Sequence, residues 1–271
     1  NGIEDLKNNI VKFIGTPEER IQEDYLRILR YFRFFTQYSK FDHDPKTIKS
    51  IKKYINGINK ISKERIFDEI KKILSLKKIH KLFSNQDSKE VIQNIFPQFK
   101  YQERLKVLSF LNEKLRNKYD IYLILALLIV DQTNDYEYFC HKYKTSNHVK
   151  NRLKNISENF DNLKNRKFYT KENIKKLIYL SDRKQVNDLL LFGSCLSNKI
   201  NKYNIEELIE YTQSCKMPEF PISGNYLKMH GFKTGETLGK KLKFLEEKWI
   251  NNNFNMDKEV LKNFLEESTD N

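Results

Sequence analysis

Apolar residues recur at three- and four-residue spacing along most of the chain, and strict apolar/polar alternation over a strand length is scarce. The pattern predicts an all-α protein. Thr16-Pro17-Glu18-Glu19 carries a cap threonine, a first-turn proline and a capping-box glutamate, so a helix is expected from there to about Tyr38, with Ile21, Tyr25, Ile28, Leu29 and Phe32 on its apolar side. Asp44-Pro45 opens a second helix, which Gly57 is expected to stop. Ser62 caps a third, with Ile66, Ile70 and Ile73 at helical spacing. Further helices are predicted near residues 101–116, 119–130, 146–165, 170–180, 182–199, 205–216 and 237–249. A Pro/Gly-containing stretch, 217–239, separates the helical body from the last of these, and no fixed-period repeat makes the chain a solenoid.

Composition narrows the class. With 271 residues, 39% hydrophobic, 15 Tyr and 19 Phe, the chain can bury a core, and 8 Gly with 5 Pro exclude collagen-like and linker-like sequences. The longest apolar run, 121–130, is too short to span a bilayer and reads as a buried helix. Cys140, Cys195 and Cys215 are odd in number and far apart, which favours reduced thiols in a cytoplasmic protein.

The formal charge of +14 is concentrated. Residues 49–81 hold 11 Lys/Arg against 3 Asp/Glu, and residues 150–176 hold 9 against 3, which accounts for the whole excess. Clustered cations suit a polyanion, so Lys52, Lys53, Lys150, Arg152 and Lys154 are candidate RNA contacts, against the alternative of a solvated lysine-rich surface.

Arg20, Glu23, Asp24, Arg27 and Arg30 recur at three- and four-residue intervals and form one charged stripe opposite the apolar one, with Asp24 and Arg27 one turn apart, against the alternative of intrahelical ion pairs in water. A carboxylate accepts from an exocyclic amine and a guanidinium donates to a ring nitrogen. Cytosine and adenine both present that pair on their Watson–Crick edges, whereas guanine and uracil do not. Other candidates are weaker: Asp42-His43-Asp44 lies at a helix start, where Asp44 reads as a cap rather than a metal ligand, and Gly193-Ser194 and Cys140-His141 lack partners for catalysis.

The run Phe13-Ile14-Gly15-Thr16-Pro17-Glu18-Glu19-Arg20-Ile21-Gln22-Glu23-Asp24-Tyr25-Leu26-Arg27-Ile28-Leu29-Arg30-Tyr31-Phe32-Arg33-Phe34 closely resembles the head-to-neck motif of class II CCA-adding tRNA nucleotidyltransferases and bacterial poly(A) polymerases. Ile61-Ser62-Lys63-Glu64-Arg65-Ile66-Phe67-Asp68-Glu69-Ile70 is similar to the supporting neck motif, and Phe220-Pro221-Ile222-Ser223-Gly224-Asn225-Tyr226-Leu227 with Gly231, Gly235, Gly239 and Trp249 to a tail motif, with Asn225-Tyr226 where a polar-Asp pair is usual.

The resemblance implies a curved helical array: the end of a catalytic head at 1–15, a neck at 16–82, a body at 83–216 and a tail at 217–271. By resemblance Glu23, Asp24, Arg27 and Arg30 bind the nucleotide base, and Glu64 and Arg65 support the template. The head, with its metal-binding carboxylates, is not recognised in these residues; no catalytic residue and no metal ligand is expected in this chain, and a separately encoded head is a candidate partner. Mg²⁺, CTP and ATP are the implied cofactor and substrates, and a tRNA or other RNA 3′ end the partner, with no membrane. The readings kept beside CCA addition are polyadenylation by the same family and a non-catalytic helical RNA-binding module.

Overall fold

The computed structural model describes residues 2–196, 204–256, 258–259 and 261–262, and among them it is all-helical, without a strand. The helices are α1 (Gly2–Lys7), α2 (Pro17–Glu23), α3 (Arg27–Tyr38), α4 (Pro45–Tyr54), α5 (Lys63–Leu74), α6 (His80–Ser84), α7 (Gln86–Ile95), α8 (Glu103–Phe110), α9 (Glu113–Arg116), α10 (Ile121–Ile129), α11 (Asp135–Lys142), α12 (Asn147–Glu158), α13 (Lys171–Leu180), α14 (Arg183–Ser194), α15 (Ile205–Ser214), α16 (Gly224–Met229) and α17 (Glu236–Asn251). A 3-10 segment, Ile55–Lys60, follows α4.

The chain divides into two compact units, residues 1–168 with 187–206, and residues 169–186 with 207–271. The first is built around α10, whose Leu125, Ala126, Leu127, Leu128 and Ile129 are fully buried, which is why its sequence is apolar on every side. Its N-terminus is held by Asp120, whose Oδ1 accepts from the Tyr122 and Leu123 amides at 3.1 and 2.9 Å. In the second unit, Ile222, Leu227, Phe232 and Leu245 form a small core against which Phe220, Tyr226, Leu238 and Leu242 pack. There Ser223 caps α16, and the Arg183 guanidinium donates to the backbone carbonyls of Thr212 and Cys215.

Several elements differ from the sequence expectation. The helix expected from Thr16 to Tyr38 is two, because Asp24 adopts an extended backbone (φ −152°, ψ 104°) and its Oδ1 accepts from the Leu26 amide at 3.1 Å. A short Asx turn of this kind competes with the helix for the backbone donor. The Thr16 side chain makes no cap bond; the Arg20 Nε reaches back to the Ile14 carbonyl at 2.8 Å instead. Gly57 does not stop a helix with a left-handed residue but sits inside the 3-10 segment. The expected 101–116 helix breaks at Leu111, and residues 197–199 of the expected 182–199 helix lie outside the described residues. Asp44 and Ser62 cap α4 and α5 as expected, with Asp44 Oδ2 accepting from Thr47 N at 2.8 Å and Ser62 Oγ from Arg65 N at 3.4 Å.

Arg152 corrects a second expectation. Its side chain is 8% exposed and ion-paired on both sides, with Nε and Nη2 donating to Asp188 at 2.5 and 2.8 Å and Nη1 to Asp120 at 2.5 Å. The hydrogen bonds to Asp188 hold its pKa above the ordinary arginine value despite burial. A guanidinium committed to two internal carboxylates does not contact a phosphate.

Candidate functional site

The site forms around the break between α2 and α3. Glu23, the last residue of α2, accepts from Arg20 Nη1 at 2.7 Å and from Arg27 Nη1 at 2.6 Å, so one carboxylate bridges two guanidiniums across the break. Those bonds, first from Arg20 and then from Arg27, hold the Glu23 carboxyl below the ordinary glutamate range. Arg27 Nη1 also donates to the Arg20 carbonyl at 3.1 Å, and among the described residues the rest of its donor fork is uncommitted. The Arg30 side chain makes no hydrogen bond or ion pair among the described residues, while its backbone N–H donates to the Leu26 carbonyl at 3.1 Å.

Arg20, Arg27 and Arg30 line one side of a cleft of about 380 Å³, and Phe13, Tyr31 and Phe34 are among its apolar walls. No carboxylate lines it. Sequence reasoning placed Arg27 and Arg30 here but missed the aromatic wall, whose only signal was the density of Tyr and Phe between residues 31 and 35. Phe13 stacks on Tyr31 at 5.4 Å, and Arg33 lies over the Phe34 ring while its Nε donates to the buried Glu69 at 2.5 Å, tying α3 to α5.

Asp24 stands apart from Arg27 rather than paired with it. Its Oδ2 accepts from Arg65 Nη2 at 3.0 Å, a bond from the first turn of α5, and its carboxylate is about one-fifth exposed. Arg65 therefore reaches across from α5 to the break between α2 and α3, whereas the Glu64 carboxylate is paired with Lys144 at 2.7 Å.

Tyr25, between Asp24 and the start of α3, is seated on Gly57. A Cβ built on Gly57 falls 2.0 Å from Tyr25 Cε1, so only glycine leaves room for the ring. Lys60 lies over the same ring at 5.7 Å. Gly57→Ala is therefore expected to destabilise the chain by about 1–3 kcal/mol through overpacking, which outweighs the roughly 0.5–1 kcal/mol that alanine gains over glycine in a helix. In a Tyr25→Ala background the same substitution is expected to be neutral or stabilising. Chemical denaturation of the four variants checks this, and equal effects in both backgrounds contradict it.

Beneath the cleft, His43 is 8% exposed, with Nδ1 hydrogen-bonded to the Tyr31 hydroxyl at 2.9 Å, Nε2 to the Ser88 hydroxyl at 2.6 Å, and the Phe35 ring stacked at 3.5 Å. Burial pushes its pKa down to about 4, against weaker upward pulls from Asp87 and Asp42. The unfolded chain takes up this proton first, so stability falls as pH drops from about 6.5 to about 4, by roughly 3 kcal/mol over the full window at 1.36 kcal/mol per pH unit. Urea unfolding at pH 7.5 and 4.5 tests this, since His43→Gln is expected to flatten the difference; an equal pH slope in the variant contradicts it.

The remaining candidate RNA contacts are distributed over the surface. Lys52 is bound to Asp87 and Glu90 at 3.0 and 2.9 Å, so a phosphate there competes with two carboxylates. Lys53 lies over the Tyr54 ring, Lys150 pairs with Glu137 at 3.3 Å and Lys154 with Glu158 at 3.6 Å. Among the described residues no three His, Cys, Asp or Glu side chains cluster as metal ligands do, and no helix is long and apolar enough to cross a membrane.

The described residues thus form an all-helical chain with a broken helix, a carboxylate clamp across the break and an arginine-lined cleft. Residues 113–265 match the family described as "tRNA nucleotidyltransferase domain 2", and residues 40–103 the one described as "Probable RNA and SrmB- binding site of polymerase A". The chain belongs to the tRNA nucleotidyltransferase family. It is 30% identical to human mitochondrial CCA tRNA nucleotidyltransferase 1 over 99% of its own length and 61% of that protein's, and 25% identical to the CCA-adding enzyme of Lactobacillus helveticus over 98% and 65%. It thus spans under two thirds of the curated relatives it matches. Its fold is similar to that of the Bacillus stearothermophilus CCA-adding enzyme in complex with CTP (TM-score 0.68, 17% identity, 99% of this chain and 68% of that one) and of the Thermotoga maritima CCA-adding enzyme complexed with tRNA(CCA) (0.63, 18%, 98% and 66%).

Proposed function

We propose that this chain is the nucleotide-selecting and RNA-binding part of a tRNA nucleotidyltransferase that adds CCA to tRNA 3′ ends. The observation that carries the reading is the clamp at the helix break, where Glu23 holds one nitrogen of Arg27 and leaves the remainder of its fork to donate in the arginine-lined cleft. Asp24 lies outside the cleft lining, on the turn that joins the two arginine-bearing helices; we assign it the complementary acceptor, because its bonds from Arg65 and the Leu26 amide leave part of a carboxylate's capacity unused. A base offering an amine donor beside a ring acceptor, as cytosine and adenine do, satisfies both residues, whereas guanine and uracil offer a carbonyl and an N–H. CTP and ATP are accordingly the substrates. Arg30, whose side chain has no partner among the described residues, is positioned to meet the nucleotide's negative charge. Residues 16–82 act as the neck, 83–216 as the body and 217–271 as the tail.

The phosphoryl-transfer step needs carboxylates and Mg²⁺ from a catalytic domain, and no step is assigned to a metal in these residues. The chain alone, with Mg²⁺, CTP, ATP and a tRNA lacking its 3′ end, is expected to leave the RNA unextended, and the same chain supplied with a family catalytic domain, covalently or in trans, to add C, C and A. Extension by the chain alone contradicts the division of labour. The match of residues 40–103 to a polymerase A region favours a second reading, polyadenylation, which sequencing of the added nucleotides separates from the first.

A further inference from the structure

A second, smaller depression, about 110 Å³, opens elsewhere in the first unit, lined by Asn56 and Asn59 of the 3-10 segment, Lys63 of α5, Asn94 of α7 and Lys142 of α11, over Ile58 and Ile95. Four elements thus bring three carboxamides and two ammonium groups to one place. None of the five makes a hydrogen bond or ion pair among the described residues, and Lys142 has only the ring of Tyr143 beside it at 5.3 Å. No carboxylate lines the depression, and Glu64, on the first turn of α5, is taken up by Lys144.

The chemistry narrows the ligand. Two ammonium groups without a carboxylate exclude a cation and favour an anion. The volume is well below the roughly 300 Å³ at which small-molecule pockets begin and holds about three or four waters' worth of ligand, enough for a phosphate and the edge of a sugar. Base stacking is not offered, since Tyr143 is 2% exposed. Carboxamides both donate and accept, which matches a ribose 2′-hydroxyl, itself a donor and an acceptor.

We infer that this depression is a subsite for RNA backbone, in which Lys63 and Lys142 hold a phosphate and Asn56, Asn59 and Asn94 read the adjoining 2′-hydroxyl, so that it selects RNA over DNA without reading sequence. The inference rests on the reading that the chain binds RNA. It adds a place and a sugar preference that the charge pattern did not supply, because asparagines carry no charge and residue 142 lies outside both basic stretches.

The test uses the purified chain, fluorescence anisotropy and a short RNA hairpin with a 3′ overhang, beside its DNA counterpart, over a range of salt. The Lys63→Gln/Lys142→Gln variant is expected to bind RNA about tenfold more weakly at moderate salt, with the slope of log K against log salt reduced by about 1–2. The Asn56→Ala/Asn59→Ala/Asn94→Ala variant is expected to keep the slope and lose most of the preference for RNA over DNA. Thermal melting confirms that each variant folds. If the wild-type chain binds RNA and both variants retain its affinity, slope and preference, the subsite is overturned while RNA binding stands; a lysine effect without an asparagine effect overturns the 2′-hydroxyl reading. If the wild-type chain binds no RNA, the RNA-binding reading itself falls.

Discussion

Replacing Arg152 by alanine is expected to cost about 3–5 kcal/mol of folding stability. The reason is the residue it abandons. Asp188 is 4% exposed and receives two of the three Arg152 bonds, so without the guanidinium it becomes a buried, uncompensated charge. Asp120 loses a partner too, but it is half exposed and keeps its cap bonds to α10, so its share is small. Lys150→Gln and Lys154→Gln remove exposed pairs from the same helix and are expected to change stability by no more than about 0.5 kcal/mol. Urea unfolding of the three variants separates the cases. A cost below about 1 kcal/mol for Arg152→Ala contradicts the structural role.

Arg27→Ala is the second large effect, in the chain joined to a catalytic domain. Each charge-assisted hydrogen bond lost is worth roughly 1.5–3 kcal/mol, so nucleotide incorporation is expected to fall about ten- to a hundredfold, with selectivity damaged as well. Two losses combine: the donor to the base disappears, and Glu23 is left holding only Arg20. Asp24 keeps Arg65 and the Leu26 amide, so the variant does not strand it, and Asp24→Ala and Arg27→Ala are separable perturbations. Arg65→Met is expected to act on Asp24 instead, loosening base choice while Arg27 stays clamped. Single-turnover incorporation of CTP by each variant measures the split between rate and affinity; loss no greater for Arg27→Ala than for an exposed lysine such as Lys154→Gln contradicts the assignment.

The helical class was readable because the apolar spacing is a local signal, and caps such as Asp44 and Ser62 act within three residues of their own position. The break at Asp24 was not, because the pieces that stabilise it come from elsewhere: the Arg65 guanidinium is 41 residues away in sequence, and the seat for Tyr25 is a missing side chain at Gly57. A continuous stripe therefore looked natural where the structure separates Asp24 from Arg27. The same limit explains Arg152. It stands in a basic stretch, and charge counting treats every cation there alike, but burial beside Asp188 depends on a helix 36 residues further on. The aromatic wall of the cleft was present in the sequence as a dense run, yet the periodicity that marks it also marks a core face, and only the fold distinguishes Phe34, exposed at the cleft, from Phe32, fully buried.

Base selection at the helix break is the central claim, and a four-nucleotide competition by the Asp24→Ala chain, supplied with a catalytic domain and a tRNA lacking its 3′ end, tests it most directly. The account predicts that the preference for C and A over G and U relaxes by more than the maximal rate falls, because the substitution removes an acceptor that reads the base and leaves the Arg27 clamp in place. Equal slowing of C, A, G and U would show that Asp24 serves only to pin α2, α3 and α5 together, and would contradict the claim.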